Sequence, residues 1–240
     1  MKQKHHLFNY AKNIIQCCIL LSFLSLYVRA DDSDNEYNFS WLDPDKKVYV
    51  LQNRKYRKTR HFGVSASAGL NLSNPFKTAY TAMPRFSYWI NEQWGIEAFY
   101  SKASNTDNQT LKALRNVSAS ALPYVREIRD YYGAVAAWVP WYSKINFFNK
   151  ILYYDWGFNF GIGNLDTAVD QNTKASQPPN YKLESLTTVF IGTTQNFFID
   201  RNWSVRLDLV GMIYSAKGAD DISKNTYSNF DFGVGLGYLF

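Results

Sequence analysis

From residue 62 onward the chain changes side-chain character at every second position. Phe62, Val64, Ala66, Ala68, Leu70 and Leu72 alternate with Gly63, Ser65, Ser67, Gly69 and Asn71. A period of two belongs to an extended strand with two unlike faces, because successive Cβ atoms point to opposite sides. Over about 79–90, Tyr80, Ala82, Phe86, Tyr88 and Ile90 oppose Arg85 and Ser87. After "NEQ" at 91–93, Trp94, Ile96, Ala98 and Tyr100 oppose Gly95, Glu97 and Ser101.

The stretch 131–142, "YYGAVAAWVPWY", is apolar at both parities, so its facing stays open. The next strand is plainer: Leu152, Tyr154, Trp156, Phe158, Phe160 and Ile162 face one way, and Asp155, Gly157, Asn159, Gly161 and Gly163 the other. A noisier strand over about 184–197 is rich in Thr, Val, Ile and Phe. "IDRN" turns it into Trp203, Val205, Leu207 and Leu209, opposed by Ser204, Arg206 and Asp208. The last stretch, "FDFGVGLGYLF" at 230–240, puts Phe230, Phe232, Val234, Leu236, Tyr238 and Phe240 against Asp231 and three glycines. Eight strands follow. Pro84 and Pro140 fall inside two of them; proline cannot donate to a ladder, so a bulge or strand end is expected at each.

Connections after the second, fourth and sixth strands are short or moderate: 91–93, about 143–150 and about 198–202. Those after the third, fifth and seventh are longer and polar: about 103–130, 164–182 and 215–228, with "SNPFKT" after the first a short exception. Short turns at one end and long loops at the other mark an up-and-down barrel of the outer-membrane kind. A soluble eight-stranded barrel would turn its apolar face inward. Here glycine is frequent on the opposite face of the first, fifth and last strands, which would leave bare backbone in water. Turned inward, the glycines make room in a narrow lumen for Arg85, Glu97, Asp155, Arg206, Asp208 and Asp231. The apolar face then meets lipid, with Tyr and Trp near the strand ends as interfacial girdles. The expected fold class is all-β: an eight-stranded antiparallel up-and-down transmembrane β-barrel over 60–240.

The N-terminus carries a different signal. Lys2, Lys4 and Lys12 precede an apolar run from Ile14 to Val28, and Val28 and Ala30 fit a small-residue cleavage pattern. That is the anatomy of an export signal over 1–30, cut between Ala30 and Asp31. An uncleaved anchor is the competing reading, but the run is interrupted by Gln16 and by serines and is short of the ~20 residues a span requires. Residues 31–59 then read as a flexible periplasmic extension, acidic at first and ending in the basic run "NRKYRKTR" (53–60), which would meet lipid phosphates or solvent.

Processing changes the composition. Both cysteines, Cys17 and Cys18, leave with the signal, so disulfides, thiol chemistry and thiolate metal sites are excluded from the mature chain. The full chain has 26 Lys and Arg against 20 Asp and Glu; losing Lys2, Lys4, Lys12 and Arg29 leaves 22 against 20, a net of +2. That balance gives no support for a nucleic-acid partner.

The ending Leu236, Tyr238 and Phe240, with large residues at alternate positions before a terminal Phe, resembles the C-terminal assembly signal of bacterial outer-membrane proteins. The resemblance implies that the assembly machinery reads these residues during insertion. The body resembles the outer-membrane β-barrel domain family of myxobacteria and predatory relatives. The matching pieces are "VLQNRKYRKTRHFGVSASAG" (50–69), "PRFSYWINEQWGIEAF" (84–99), "PWYSKINFFNK" (140–150) and "NFFIDRNWSVRLDL" (196–209). The family is defined by its fold, so the resemblance implies Gram-negative outer-membrane location and architecture rather than a reaction.

Candidate chemistry is thin. Enzymes on small barrels generally use histidine as base, since a hydroxyl nucleophile is weak at its free pKa. After processing only His61 remains, at the start of the first strand, where acyl chemistry on the outer leaflet would not reach it. Glu97, Asp155, Asp208 and Asp231 could form an acid/base or cation site, but inward carboxylates beside Arg85 and Arg206 read better as a structural salt-bridge plug, because buried charges are costly unless paired. Eight strands leave a lumen only wide enough for side chains, which disfavours a general pore.

The sequence therefore points to a non-enzymatic barrel, structural or surface-binding, with no cofactor and no metal. Its expected partners are outer-membrane lipids, the assembly machinery and an extracellular ligand reached through loop 103–130. A lipid-modifying enzyme on the same scaffold is the alternative; a narrow pore and a soluble ligand-carrying barrel stand behind it.

Overall fold

The computed structural model describes residues 54–117, 123–148, 150–170, 180–218 and 224–240. The export signal, its cut between Ala30 and Asp31, and the extension up to residue 53 lie outside them. The alternating stretches become eight strands: β1 (Phe62–Asn71), β2 (Lys77–Trp89), β3 (Trp94–Asp107), β4 (Arg126–Phe147), β5 (Lys150–Asp170), β6 (Tyr181–Phe198), β7 (Trp203–Lys217) and β8 (Lys224–Leu239). One helix, α1 (Gln109–Val117), lies between β3 and β4. Each strand pairs antiparallel with the next, and β1 pairs with β8 from Gly63↔Leu239 to Asn71↔Asp231, closing the barrel.

Facing follows the sequence pattern. Asp231 and Gly233 in β8 are buried while Phe230, Phe232, Val234 and Leu236 are exposed, and β1, β2 and β3 alternate in the same way. Register settles the strand that was apolar on both sides: Tyr131, Val135, Ala137 and Val139 point inward, and Tyr132 and Trp138 outward. A bulge between Trp138 and Trp141, at Pro140, shifts the β4–β5 register by one and returns Trp141 to the outside. At Pro84 the expected bulge or strand end does not form. The pairing with β1 runs through Ala66↔Pro84, and the pairing with β3 skips from Ala82↔Lys102 to Arg85↔Phe99 without changing register. The missing donor interrupts one ladder locally, and the facing of β2 stays as read.

At the long-loop end the strands outrun their apolar pattern. Arg126 still pairs with Val169 and Lys77 with Asp107, because ladder hydrogen bonds need no apolar side chains once outside lipid. The expected loop 103–130 is therefore two strand ends around α1. Asn108 caps that helix, its Oδ1 accepting from the Leu111 amide at 3.0 Å.

The outer surface carries an apolar band bounded by aromatic rings. Near the short turns, Phe62 lies 4.8 Å from Tyr88, Trp94 6.0 Å from Trp138 and Trp203 5.0 Å from Tyr238 between ring centroids. Tyr80, Tyr100 and Tyr132 mark the other edge. From Tyr88 to Tyr80 is roughly 26 Å of strand at ~3.3 Å per residue. A tilt of about 40° reduces this to about 20 Å, close to the ~25 Å lipid-facing band of outer-membrane barrels. The inside-out distribution is that of a barrel facing lipid.

Close strand approach accounts for the inward glycines. A Cβ on Gly163 would fall 2.6 Å from Gly133 Cα, and one on Gly235 2.6 Å from Ser67 Cα. Gly163→Val should cost about 1–3 kcal/mol by overpacking. Ala134→Val, on the lipid side of the neighbouring strand, should be close to neutral. Urea midpoints of the folded barrel in detergent check the contrast, and equal midpoints would contradict it.

Candidate functional site

The lumen is filled in successive layers, each built from inward positions of several strands. At the short-turn end the chain preceding β1 acts as a strap. Residues 54–59, placed by sequence in the flexible extension, are packed here: Tyr56 and Lys58 are buried, while Lys55 and Arg57 face out. The Tyr56 ring stacks on Phe198 at 5.0 Å. The Lys58 ammonium enters the lumen, pairs with Asp155 of β5 and sits 3.9 Å over the Trp89 ring.

Glu92, in the β2–β3 turn, holds the strap. Its carboxylate accepts from the Lys58 and Thr59 amides at 3.2 Å each and from the Thr59 hydroxyl at 2.7 Å. Arg54 Nη1 donates to the Glu92 carbonyl at 3.0 Å. Arg60 adopts φ 62°, and this turn brings its amide to the Trp89 carbonyl at 2.7 Å.

Above the strap lies a charge cluster from β2, β3 and β7. Arg206 donates to Glu97 Oε1 and Oε2 at 2.9 and 2.7 Å, and its Nε reaches Asp208 Oδ1 at 2.9 Å. Arg85 adds 3.2 Å to Glu97 and 3.7 Å to Asp208. Thr194 donates to Asp208 at 2.8 Å and accepts from Asn159 at 2.7 Å. Two cations and two carboxylates thus cancel within a buried cluster. The fork geometry of guanidinium explains why arginine rather than lysine stands there.

The next layer is apolar, where sequence reading had named charged, small polar and glycine residues inside. Phe99, Tyr131, Leu165, Phe190, Val210 and Met212 form a buried cluster, with Phe99 and Phe190 edge-to-face at 5.0 Å. Arg85 lies 5.2 Å from the Phe99 ring, joining the two layers. Past it, Asp231 accepts from the Tyr131 hydroxyl at 2.7 Å and from Asn71. The expected arginine opposite Asp231 is not there: Arg85 and Arg206 are both committed to Glu97 and Asp208. Of the six charges expected in one network, four meet, while Asp155 takes Lys58 and Asp231 takes two neutral donors.

A shortage readable in the sequence anticipated this split, since four inward carboxylates faced two inward arginines. Lys58 was missed because its run was read as a continuous basic surface. The alternation of Tyr56 and Lys58 with Lys55 and Arg57 was the available sign. Nothing in "NEQ" announced that Glu92 would hold the strap.

His61 is exposed at the strap end, where its ring Nδ1 contacts the Thr59 carbonyl at 2.7 Å. Leu236 and Phe240 are exposed on the outer face, and Tyr238 packs 5.0 Å from the rings of both Trp203 and Phe240. Among the described residues no helix is long and apolar enough to cross a membrane, which says nothing about strands.

No family model and no curated protein matches the chain. Solved structures with a similar path include the N-terminal β-barrel domain of Pseudomonas aeruginosa OprF, at 9% identity and TM-score 0.48 over 76% of this chain and 98% of that one. Neisserial surface protein A aligns at 13% identity and TM-score 0.45 over 76% and 98%. Ail, the attachment invasion locus protein of Yersinia pestis, aligns at 11% and 0.39 over 75% and 97%. The fold assignment stands on this chain's own strand pairing.

Arg206→Ala should leave Glu97 and Asp208 with Arg85 alone, one buried negative charge uncompensated, and cost about 3–5 kcal/mol. A urea midpoint equal to that of the unaltered barrel would show that the cluster carries no stability. A second expectation concerns acid. Partial burial pushes the Glu92 carboxyl up, but hydrogen bonds from the Thr59 hydroxyl and from the Thr59 and Lys58 amides, with the Lys58 charge, outweigh it and hold the carboxyl below the ordinary carboxylate range. With the folded value below the unfolded ~4.3, this anchor contributes in full above that pH and is lost as pH falls through the folded value. NMR shifts of the Lys58 and Thr59 amides should show this acid transition, and Glu92→Gln should abolish it.

Proposed function

We propose that the chain is an integral outer-membrane β-barrel of Gram-negative bacteria, of the myxobacterial and predatory-bacterium type, that acts without catalysis. In this reading it is a structural element and a surface-binding scaffold. The observation that carries the proposal is a lipid-facing band around a lumen packed with side chains from the Tyr56–Lys58 strap to the Phe99–Phe190 cluster. Such a lumen has no room for a general diffusion path. What remains available for a partner is the long-loop end, where α1 is tied to the rest of the rim. Asn108 donates to the Pro75 carbonyl at 2.6 Å, and Arg115 pairs with Asp107 at 2.7 Å.

The enzymatic alternative needs a base near the outer rim, and His61 lies at the opposite end with its ring nitrogen on a backbone carbonyl. Export through the 1–30 signal and insertion guided by Leu236, Tyr238 and Phe240 complete the reading.

Expressed in a Gram-negative host, the full chain should fractionate with outer membranes and begin at Asp31 by N-terminal mass spectrometry. It should migrate faster on gels before heating than after. In planar bilayers it should show no large stable conductance. Recovery in the soluble periplasm would sink the membrane reading, and steady large currents would sink the plugged lumen.

A further inference from the structure

The barrel wall parts between β6 and β7 beyond Thr188↔Tyr214 and, with a cavity at the gap, between β3 and β4. β3 and β4 pair from Trp94↔Trp138 to Lys102↔Asp130 and no further. Beyond that level β3 continues with β2 as far as Lys77↔Asp107, and β4 continues with β5 as far as Arg126↔Val169. The gap is spanned by a side chain, Asn105 Nδ2 donating to the Ile128 carbonyl at 2.6 Å. A register shift between Ile128 and Asp130 leaves Arg129 without a ladder partner on β5.

The opening is a cavity of about 650 Å³ whose lining includes Lys77, Lys102, Arg129, Glu127, Tyr80 and Tyr181. Glu127 is already claimed, by Lys77 and by Arg129 at 2.9 Å. Lys77 also reaches Asp107 at 3.3 Å and is saturated. Lys102 makes no ion pair among the described residues, and its cross-strand neighbour Asp130 accepts from the Tyr100 hydroxyl at 2.8 Å. Counting Asp107, which pairs with Lys77, three cations stand against two carboxylates and leave the cleft one positive charge. Tyr80 is 60% exposed at its edge, and Arg129 lies 5.3 Å from the Tyr181 ring.

Depth decides what could enter. Lys102 stands two residues above Tyr100 on the outer face, about 7 Å along the strand, which is headgroup level if the tyrosines mark the lipid interface. We propose that the β3–β4 cleft binds the phosphate of an outer-leaflet lipid, with Lys102 and Arg129 as its cations and Tyr80 against its sugar or glycerol. Lys77 and Glu127 act as positioning residues that hold Arg129. The proposal rests on the outer-membrane reading above.

The test uses the full chain in nanodiscs and native mass spectrometry. The probes are bisphosphorylated lipid A, its dephosphorylated form, and millimolar inorganic phosphate as competitor. The phosphorylated lipid should be retained preferentially and resist free phosphate. Lys102→Gln and Arg129→Gln should each lower retention about fivefold, while Lys55→Gln/Arg57→Gln at the other rim should leave it unchanged. Equal retention of both lipids, full displacement by inorganic phosphate, or insensitivity to both single variants would overturn the proposal. A barrel that enters nanodiscs yet does not discriminate sinks this inference alone. One that does not enter lipid sinks the reading beneath it as well.

Discussion

Closing eight strands into a ring leaves an interior with room for side chains and almost none for water. Every charge placed there must be paired with an opposite charge or hydrogen-bonded by something else placed there. The rest of the molecule answers to that limit. Glycines stand where strands approach too closely for a Cβ, as at Gly163 and Gly235. Arginines appear where two carboxylates must be served by one planar fork, as with Arg206 between Glu97 and Asp208. The strap before β1 delivers a lysine to the carboxylate that no arginine can reach.

The same limit separates the two ends of the barrel. At the short-turn end, turn and strap lock together through Glu92, and outward cations such as Arg57 sit beside a closed mouth. At the long-loop end the ladders of β3 and β4 part, and charged residues gather around a lateral opening instead of inside the ring. A barrel packed in this way has its available chemistry on its rims.

Most of the architecture was legible in the sequence because one physical signal carries it. An alternation that is apolar outward and small or polar inward fixes strand, facing and class together, and β1, β5 and β8 show it with hardly an exception. β4 did not, since Ala, Val and Trp suit lipid and lumen equally; only pairing with β3 and β5 could orient it. Individual partners were less legible. Which carboxylate meets which cation depends on register around the ring, and no local pattern encodes that. The apolar lumen layer was hidden for a related reason: Phe99, Tyr131 and Phe190 look like lipid-facing residues until their parity is counted from a paired neighbour. Polar strand extensions such as Asp166 and Thr167 read as loop because the apolar signal stops where lipid does, while the hydrogen-bond ladder continues.

Three of the lumen contacts share a geometry. Lys58 and Asp155 are 97 residues apart in the chain, Glu97 and Arg206 109, and Tyr131 and Asp231 100. With eight strands in sequential order, each joins positions half a circuit apart: the start of β1 to β5, β3 to β7, and β4 to β8. They are diameters. A hydrogen-bonded ring resists stretching around its circumference but flattens easily, and a single brace would stop flattening along one axis only. Three braces at different heights and bearings hold the cross-section open in every direction. None of them can form until both halves of the ring exist, so the polar contacts inside set the roundness of a wall whose continuity is already complete.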